Sequence, residues 1–179
     1  FGEDSIVENQ KTSYGFKLAL ELLFQIEGYA GYDAMTEALG KLHGIVAKAK
    51  KDIVPFAIKY AWEFKDDSVI YTMGSGPCWG SAHQESICIF MEMQWINSSV
   101  IHSGEYFHGP FEITEKNTAF LMMKSTGRTR ALDDRALAFI SQFNNRCMVI
   151  DGQDYGMDEL GWCTEYLDPL FHNNVNGVF

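Results

Sequence analysis

The segment of residues 69–110 constrains the fold most, because it reads as two buried strands joined by a helix. Residues 69–73 form a short β-branched and aromatic run, and residues 100–101 open a second such run. Between them, the glycine-rich residues 74–77 end the first strand, and Ser81 is the expected N-cap of the helix. The apolar residues at helical spacing, which we expect on its buried face, are Ile87, Phe90, Met91 and Trp95. Such a βαβ unit predicts a parallel sheet with helices packed on its faces.

The remainder of the chain extends this α/β pattern in both directions. Residues 1–65 read as a linker and N-terminal helices, with Leu23 and Phe24 facing inward in the first helix. The next two helices are expected to be separate, with caps at Asp33 and Asp52 and with Pro55 in the first turn of the latter.

Residues 66–179 read as the α/β core. A third strand is predicted at Ala119–Lys124, a helix at residues 129–143 and a fourth strand at residues 146–150. The segment that starts at Thr164 suits either a fifth strand or a helix. We therefore predict a three-layer α/β/α fold with a parallel sheet of about five strands, preceded by the N-terminal helices.

Composition excludes several classes of partner. The 179 residues carry a net charge of −10, which argues against nucleic acid or an anionic membrane as a general partner. No apolar run reaches the ~18 residues of a membrane span, and no signal peptide opens the sequence. The four cysteines lack metal-finger or CxxC spacing, so we predict reduced thiols in a cytoplasmic protein and no metal site.

Glu92 and His108 are the residues that break the apolar pattern. Glu92 lies between Met91 and Met93 in the predicted helix, where we expect it to be buried, and His108 follows the second strand sixteen residues later. A carboxylate and an imidazole brought together above a parallel sheet can transfer protons. A solvated helix glutamate is the alternative for Glu92.

The glycine-rich segment GSGPCWG leaves three interpretations open. Its glycines follow a GxGxxxG spacing, one residue longer than the dinucleotide fingerprint, and Pro77 lacks a backbone donor. Nicotinamide binding, a weak phosphate cradle that would include Ser75, and a tight strand-to-helix turn all remain possible, and the turn fits best.

Four further polar residues are weaker candidates. Glu105 either orients His108 or is a solvated cap. His102, on the second strand, is either an ordinary polar residue or lines a cleft. Arg128 and Arg130 are either anion ligands or solvated loop residues.

The segment around Glu92 and His108 resembles the SIS (sugar isomerase) domain family. The motif GEYFHGP and the sixteen-residue Glu-to-His interval are similar to the isomerase part of glucosamine-6-phosphate synthase. The runs SICIFMEMQWI, IHSGE and FHGPFEIT resemble, more closely, the second SIS domain of the fructoselysine- and fructose-asparagine-6-phosphate deglycases.

This resemblance implies that Glu92 and His108 are catalytic and that His108 is lent across the two-fold axis of a homodimer. The substrate would be a phosphorylated sugar–amino acid, and the reaction needs neither metal nor organic cofactor. The family's first SIS domain is not recognisable in the sequence, so the chain resembles the second half of a longer enzyme. The implied alternatives are an aldose–ketose isomerase or aminotransferase of the synthase type, although no lysine follows Lys124, and a non-catalytic sugar-phosphate-binding module.

Overall fold

The computed structural model describes residues 6–178, in which five α-helices and four β-strands form the fold. The helices are α1 (Lys11–Glu27), α2 (Tyr32–Phe64), α3 (Pro77–Gln84), α4 (Arg130–Phe143) and α5 (Thr164–Asn176). The strands are β1 (Ile70–Gly74), β2 (Ser98–His102), β3 (Ala119–Lys124) and β4 (Cys147–Asp151). A π-helical segment, Glu85–Met93, continues α3. Short 3₁₀ helices lie at Val7–Asn9, Tyr106–His108, Pro110–Ile113, Gly152–Tyr155 and Met157–Cys163.

All four strands run parallel in one sheet, in the order β2-β1-β3-β4. Along β3, Leu121 and Met123 pack into a core with α1, α2, α3 and α5, whereas Phe120 and Met122 pack into a second core with α4. This alternation places helices on both faces of the sheet, as the three-layer prediction requires. The described residues contain four strands rather than about five, because the segment from Thr164 is helical.

The two predicted N-terminal helices at Asp33 and Asp52 are in fact one helix, α2, which runs through Pro55. A proline inside a helix costs about 3 kcal/mol, because it removes a hydrogen bond and its ring meets the preceding turn. Burying one large apolar side chain gains about 1.5–3 kcal/mol. Several buried residues lie on one face of α2 across the proline, namely Ala49, Ile53, Ala57, Tyr60 and Phe64. Their packing outweighs the proline, and the prediction of two helices was wrong.

Helix α1 buries less of its apolar surface than its sequence predicts. Leu20 is buried, but Leu23 and Phe24, which we expected to face inward, are exposed. No helix among residues 6–178 combines the length and the apolarity that crossing a membrane requires. All four cysteines are free of disulfide bonds.

The π-helical segment Glu85–Met93 changes which residues are buried. Ser81 lies inside α3, which begins at Pro77, so its predicted role as N-cap was wrong. In the π segment the hydrogen bonds skip one more residue than in an α-helix, as in the bond from Gln94 N to Ile89 O. The wider turn shifts the buried face: of the four residues predicted to be buried, Phe90 is buried and Trp95 is 89% exposed. The other two, Ile87 and Met91, are also exposed.

Candidate functional site at the carboxyl edge of the sheet

The four parallel strands end at one edge of the sheet, where sites of open α/β folds form. The register pairs Gly74 with His102 and Lys124 with Asp151, so these four terminal residues lie side by side. The loops that leave this edge contain most of the residues that the sequence singles out as candidates.

Asp133, near the start of α4, joins two of these loops. Its Oδ1 accepts a hydrogen bond of 2.6 Å from Ser103 Oγ, and its Oδ2 accepts one of 2.9 Å from Ser125 N. The carboxylate is fully buried, and this burial raises its pKa despite the hydrogen bonds that favour the charged form. Asp133 therefore fixes the loops after β2 and β3 relative to each other.

Ser75 does not face solvent. It is fully buried, and its Oγ donates a hydrogen bond of 3.2 Å to the carbonyl of Thr129. Gly76 follows with a φ of 51°, and a Cβ there would lie 2.5 Å from Thr129 Oγ1. A side chain is thus excluded by both backbone conformation and space. Pro77 then opens α3, so the segment GSGPCWG forms the tight strand-to-helix turn.

His102 ends β2 and is partly exposed at this edge. Its Nδ1 accepts a hydrogen bond of 3.0 Å from Gly104 N, which orients the ring. The centroid of the His102 ring lies 6.5 Å from that of Trp79, and the His83 ring stacks on Trp79 with a centroid distance of 5.2 Å. These three rings form a partly exposed aromatic surface beside the edge.

Glu92 and His108 are both exposed. The expectation that Glu92 is buried among methionines was wrong, because the π-helical segment presents residues 91–95 to solvent. No hydrogen bond or ion pair joins Glu92 to His108 within residues 6–178. Within the described part of the chain, the side chains of Glu92 and His108 are therefore accessible to solvent and do not contact each other through a hydrogen bond or an ion pair.

The turn that carries His108 is anchored by Tyr106. Tyr106 is fully buried, its ring packs edge-on against Phe107, and its hydroxyl shares a hydrogen bond with Thr114 Oγ1. Glu105 is exposed beside it. Tyr106 therefore holds the backbone of the turn, and the side chains of Glu105 and His108 remain on the surface.

Both arginines of the TGRTR segment are paired with carboxylates. Arg130 makes a bidentate pair with Asp151, with Nη1–Oδ1 at 2.9 Å and Nη2–Oδ2 at 2.6 Å. Arg128 Nε donates to Glu165 Oε1 at 2.6 Å. Lys124 contacts Asp151 at 3.4 Å and also pairs with Asp134. This edge of the sheet thus carries a nearly neutral network of ion pairs, in which Lys124 and Arg130 are largely covered and Arg128 is exposed.

Sequence reasoning missed the buried carboxylate of Asp168. Thr126 donates to it through N at 2.9 Å and through Oγ1 at 2.7 Å. Burial raises the pKa of Asp168 to about 6, although these hydrogen bonds oppose the shift. Asp168 lies in a helix that follows the fourth strand, more than forty residues from Thr126, so no local sequence pattern connects the two.

Comparison with known proteins places this chain among proteins of one fold and one set of homologues. No family model matches the chain. It is 36% identical over 178 residues to fructosamine deglycase FrlB of Bacillus subtilis, which covers 98% of this chain and 54% of the relative. A crystal structure from Salmonella typhimurium described as a phosphosugar isomerase superposes with a TM-score of 0.94 at 50% identity, over 98% of this chain and 55% of that one. The chain is a homologue of the fructosamine deglycases and has the sugar-isomerase (SIS) fold.

Further relatives of this SIS domain include a second deglycase and a structure that shares the fold. Fructoselysine 6-phosphate deglycase of Escherichia coli O157:H7 is 31% identical over 147 residues, which are 73% of this chain and 43% of the relative. The C-terminal domain of glucosamine-fructose-6-phosphate aminotransferase from Francisella tularensis has a TM-score of 0.59 at 15% identity, over 82% of this chain and 46% of that one, and shows a shared fold only. The SIS domain spans about half the length of the curated relatives that it matches.

Proposed function

We propose that this SIS domain is the second half of a deglycase that cleaves an Amadori product 6-phosphate, such as fructoselysine or fructose-asparagine 6-phosphate. The products would be glucose 6-phosphate and a free amino acid. The supporting observation is the 36% identity to fructosamine deglycase FrlB, which extends over 98% of the chain. In this proposal residues 1–65, of which residues 1–5 lie outside the described structure, are the linker and N-terminal helices. Residues 66–179 form the α/β core, and the first SIS domain belongs to the longer protein.

The chemistry begins with the open-chain ketoamine, which has a carbonyl at C2 and the amine on C1. A base removes a proton from C1 and the C2 oxygen takes up a proton, which gives an enaminol. Returning a proton to C2 produces an imine at C1, and addition of water to that carbon expels the amine and leaves the aldehyde of glucose 6-phosphate. These steps move protons and one water and transfer no electrons to an acceptor, so the proposal includes no cofactor.

Glu92 is the proposed base, since one carboxylate can accept the C1 proton and return a proton to C2. His108 is the proposed general acid–base for opening the sugar ring, because an imidazole exchanges protons near neutral pH. Glu92 and His108 are exposed and unbonded to each other within this chain, which is compatible with a site completed by a second chain. A homodimer in which His108 is lent across the two-fold axis is therefore part of the proposal, as is a cytoplasmic location.

His102 and Glu105 are the proposed substrate contacts. Both lie at the carboxyl edge, and the ring of His102 adjoins the exposed indole of Trp79, against which an apolar part of a substrate can pack. Ser75 is not part of the proposed surface, because its hydroxyl is buried against Thr129.

The test is an assay of the full-length protein with fructoselysine 6-phosphate and fructose-asparagine 6-phosphate. We expect glucose 6-phosphate and the free amino acid to appear in a ratio of about one to one. Interconversion of fructose 6-phosphate with an aldose phosphate, without release of an amino acid, would identify an isomerase instead. Saturable binding without turnover would identify a sugar-phosphate sensor.

A further inference from the structure

Three potential metal ligands meet in the interior, away from the exposed Glu92 and His108. Cys78 on α3 and Asp168 and His172 on α5 are all fully buried, and one ligand atom from each lies within 4.8 Å of the others. Asp168 and His172 are four residues apart on one helix and therefore share a face. Cys78 lies in the first turn of the helix that packs against α5.

His172 is oriented as a metal-binding histidine is. Its Nε2 lies 3.3 Å from the carbonyl of Lys124, whereas its buried Nδ1 has no hydrogen-bond partner. Histidines that bind metals usually donate the other ring N–H to a carbonyl or carboxylate, which fixes the tautomer.

Hydrogen bonds from neighbouring groups also fix the orientation of the Asp168 carboxylate. Thr126 donates to both of its oxygens, and Ser125 Oγ lies 3.3 Å from its Oδ2. Such outer contacts orient a carboxylate ligand and are typical of metal centres. The Ser125 hydroxyl also adjoins Cys78, which places a fourth potential ligand atom beside the three ligands.

We propose that Cys78, Asp168 and His172 form a buried zinc site that joins α3 to α5. Zinc prefers four-coordinate sites built from thiolate, imidazole and carboxylate ligands, and the Ser125 hydroxyl or a water can supply the fourth position. On binding, the Cys78 thiol loses its proton to solvent as the Zn–S bond forms. The thiolate and the Asp168 carboxylate then balance the two positive charges of zinc, so the buried site is neutral overall. The Nδ1 of His172 gains the partner that it otherwise lacks.

The proposed role is structural and does not depend on the deglycase proposal. The cluster lies beneath the loop that follows β3, so zinc would tie that loop and α5 to the start of α3. Sequence spacing cannot reveal this site, since Cys78 and Asp168 are ninety residues apart.

The test expresses the full-length protein in minimal medium supplemented with zinc or, separately, with cobalt. We expect about one equivalent of metal per chain by mass spectrometry of the purified protein. The cobalt form should also show a thiolate-to-cobalt charge-transfer band in the near ultraviolet, which an oxygen-only site does not produce. Cys78→Ser should abolish the band, and His172→Asn should lower the metal content, whereas Cys163→Ser, at a buried cysteine outside the cluster, should change neither.

Wild-type protein that contains less than about a tenth of an equivalent of either metal, and no charge-transfer band, would overturn the proposal. So would a band that persists in Cys78→Ser or is lost in Cys163→Ser. Circular dichroism identifies variants that fail to fold. If a variant does not fold, the metal content and the charge-transfer band of the wild-type protein alone test the proposal.

Discussion

Ser103 Oγ donates a hydrogen bond of 2.6 Å to Asp133 Oδ1, and this contact connects the loop after β2 to α4. Ser103 immediately follows the last residue of β2, and Asp133 also accepts from Ser125 N, which follows β3. One buried carboxylate thus fixes the spacing of two strand ends. The proposed substrate contacts His102 and Glu105 flank Ser103, so their placement depends on this bond.

Asp133→Ala should destabilise the protein by about 3 kcal/mol, because it leaves the buried donors of Ser103 and Ser125 without an acceptor. Urea unfolding at pH 7 measures this change in the free energy of unfolding. Asp66→Ala, at an exposed carboxylate, is the control and should stay within about 0.5 kcal/mol of wild type. If Asp133→Ala lowers the free energy of unfolding by less than about 1 kcal/mol, water must replace the carboxylate as the acceptor for Ser103 and Ser125.

Glu92→Gln should abolish turnover and leave the fold intact. The amide is nearly isosteric but cannot accept the C1 proton, and loss of a general base costs ~10²–10⁴-fold in rate. The side chain is exposed, so unfolding curves of variant and wild type should coincide. The measurement is the initial rate of glucose 6-phosphate release by the full-length protein, with Glu27→Gln on α1 as an exposed control. Retention of more than about half of the wild-type rate would exclude Glu92 as the base.

If His108 acts across a two-fold axis, two inactive variants should complement each other. Glu92→Gln and His108→Asn are each expected to be inactive as homodimers. Co-expressed heterodimers would contain one site with both wild-type residues, so a random mixture should recover about a quarter of the wild-type activity. Recovery would fail if both residues act within one chain, and a strictly monomeric enzyme with full activity would also contradict the prediction.

Glu85 should make the protein less stable as the pH rises. It is fully buried, neither carboxylate oxygen has a hydrogen-bond partner, and burial raises its pKa to about 8 from 4.5. The folded state therefore binds a proton more tightly than the unfolded state, so stability falls as the pH rises from about 4.5 to 8. The free energy of unfolding of Glu85→Gln should match that of wild type near pH 4 and exceed it at pH 9 by on the order of 5 kcal/mol.

Urea unfolding of wild type and Glu85→Gln at several pH values between 4 and 9 tests this. Glu112→Gln, at an exposed position, should show the wild-type pH dependence. Parallel stability profiles for wild type and Glu85→Gln would mean that Glu85 is ionised at little cost, for instance through an internal water.

Much of the sheet could be predicted because its signals are local. The run Ala119–Lys124 is apolar throughout and is bounded by turn residues, and it forms β3 with the predicted limits. The errors arise where tertiary packing overrides local pattern. Pro55 predicts a helix boundary that burial along α2 overrides, and Trp95 fits a helical face that the π-helical hydrogen bonding rotates into solvent.

The candidate site was only partly predictable for a related reason. Glu92 and His108 are recognisable from a motif in one contiguous segment. Asp133, Asp168 and His172 lie close to groups up to 94 residues away in the sequence. A polar residue in a helix normally indicates a solvent-facing position. Their burial follows from the three-dimensional fold alone.

Several hydrogen-bond donors at the carboxyl edge are already engaged by the protein itself. Ser125 N donates to Asp133, and Thr126 donates through N and Oγ1 to Asp168. The hydroxyl of Ser75 donates to a backbone carbonyl. A sugar phosphate is normally held by such N–H and O–H groups at a helix N-terminus. A phosphate here would have to displace buried carboxylates in a chain with a net charge of −10.

These 179 residues alone should therefore bind glucose 6-phosphate with a Kd weaker than about 1 mM and catalyse no measurable deglycation. Without an anchored phosphate the reacting carbon is not positioned, and such orientation can supply several kcal/mol of a barrier. Isothermal calorimetry of the chain with glucose 6-phosphate measures the affinity, and unphosphorylated glucose is the matched control. A micromolar Kd for glucose 6-phosphate, with no binding of glucose, would place a phosphate site within this chain and contradict this prediction.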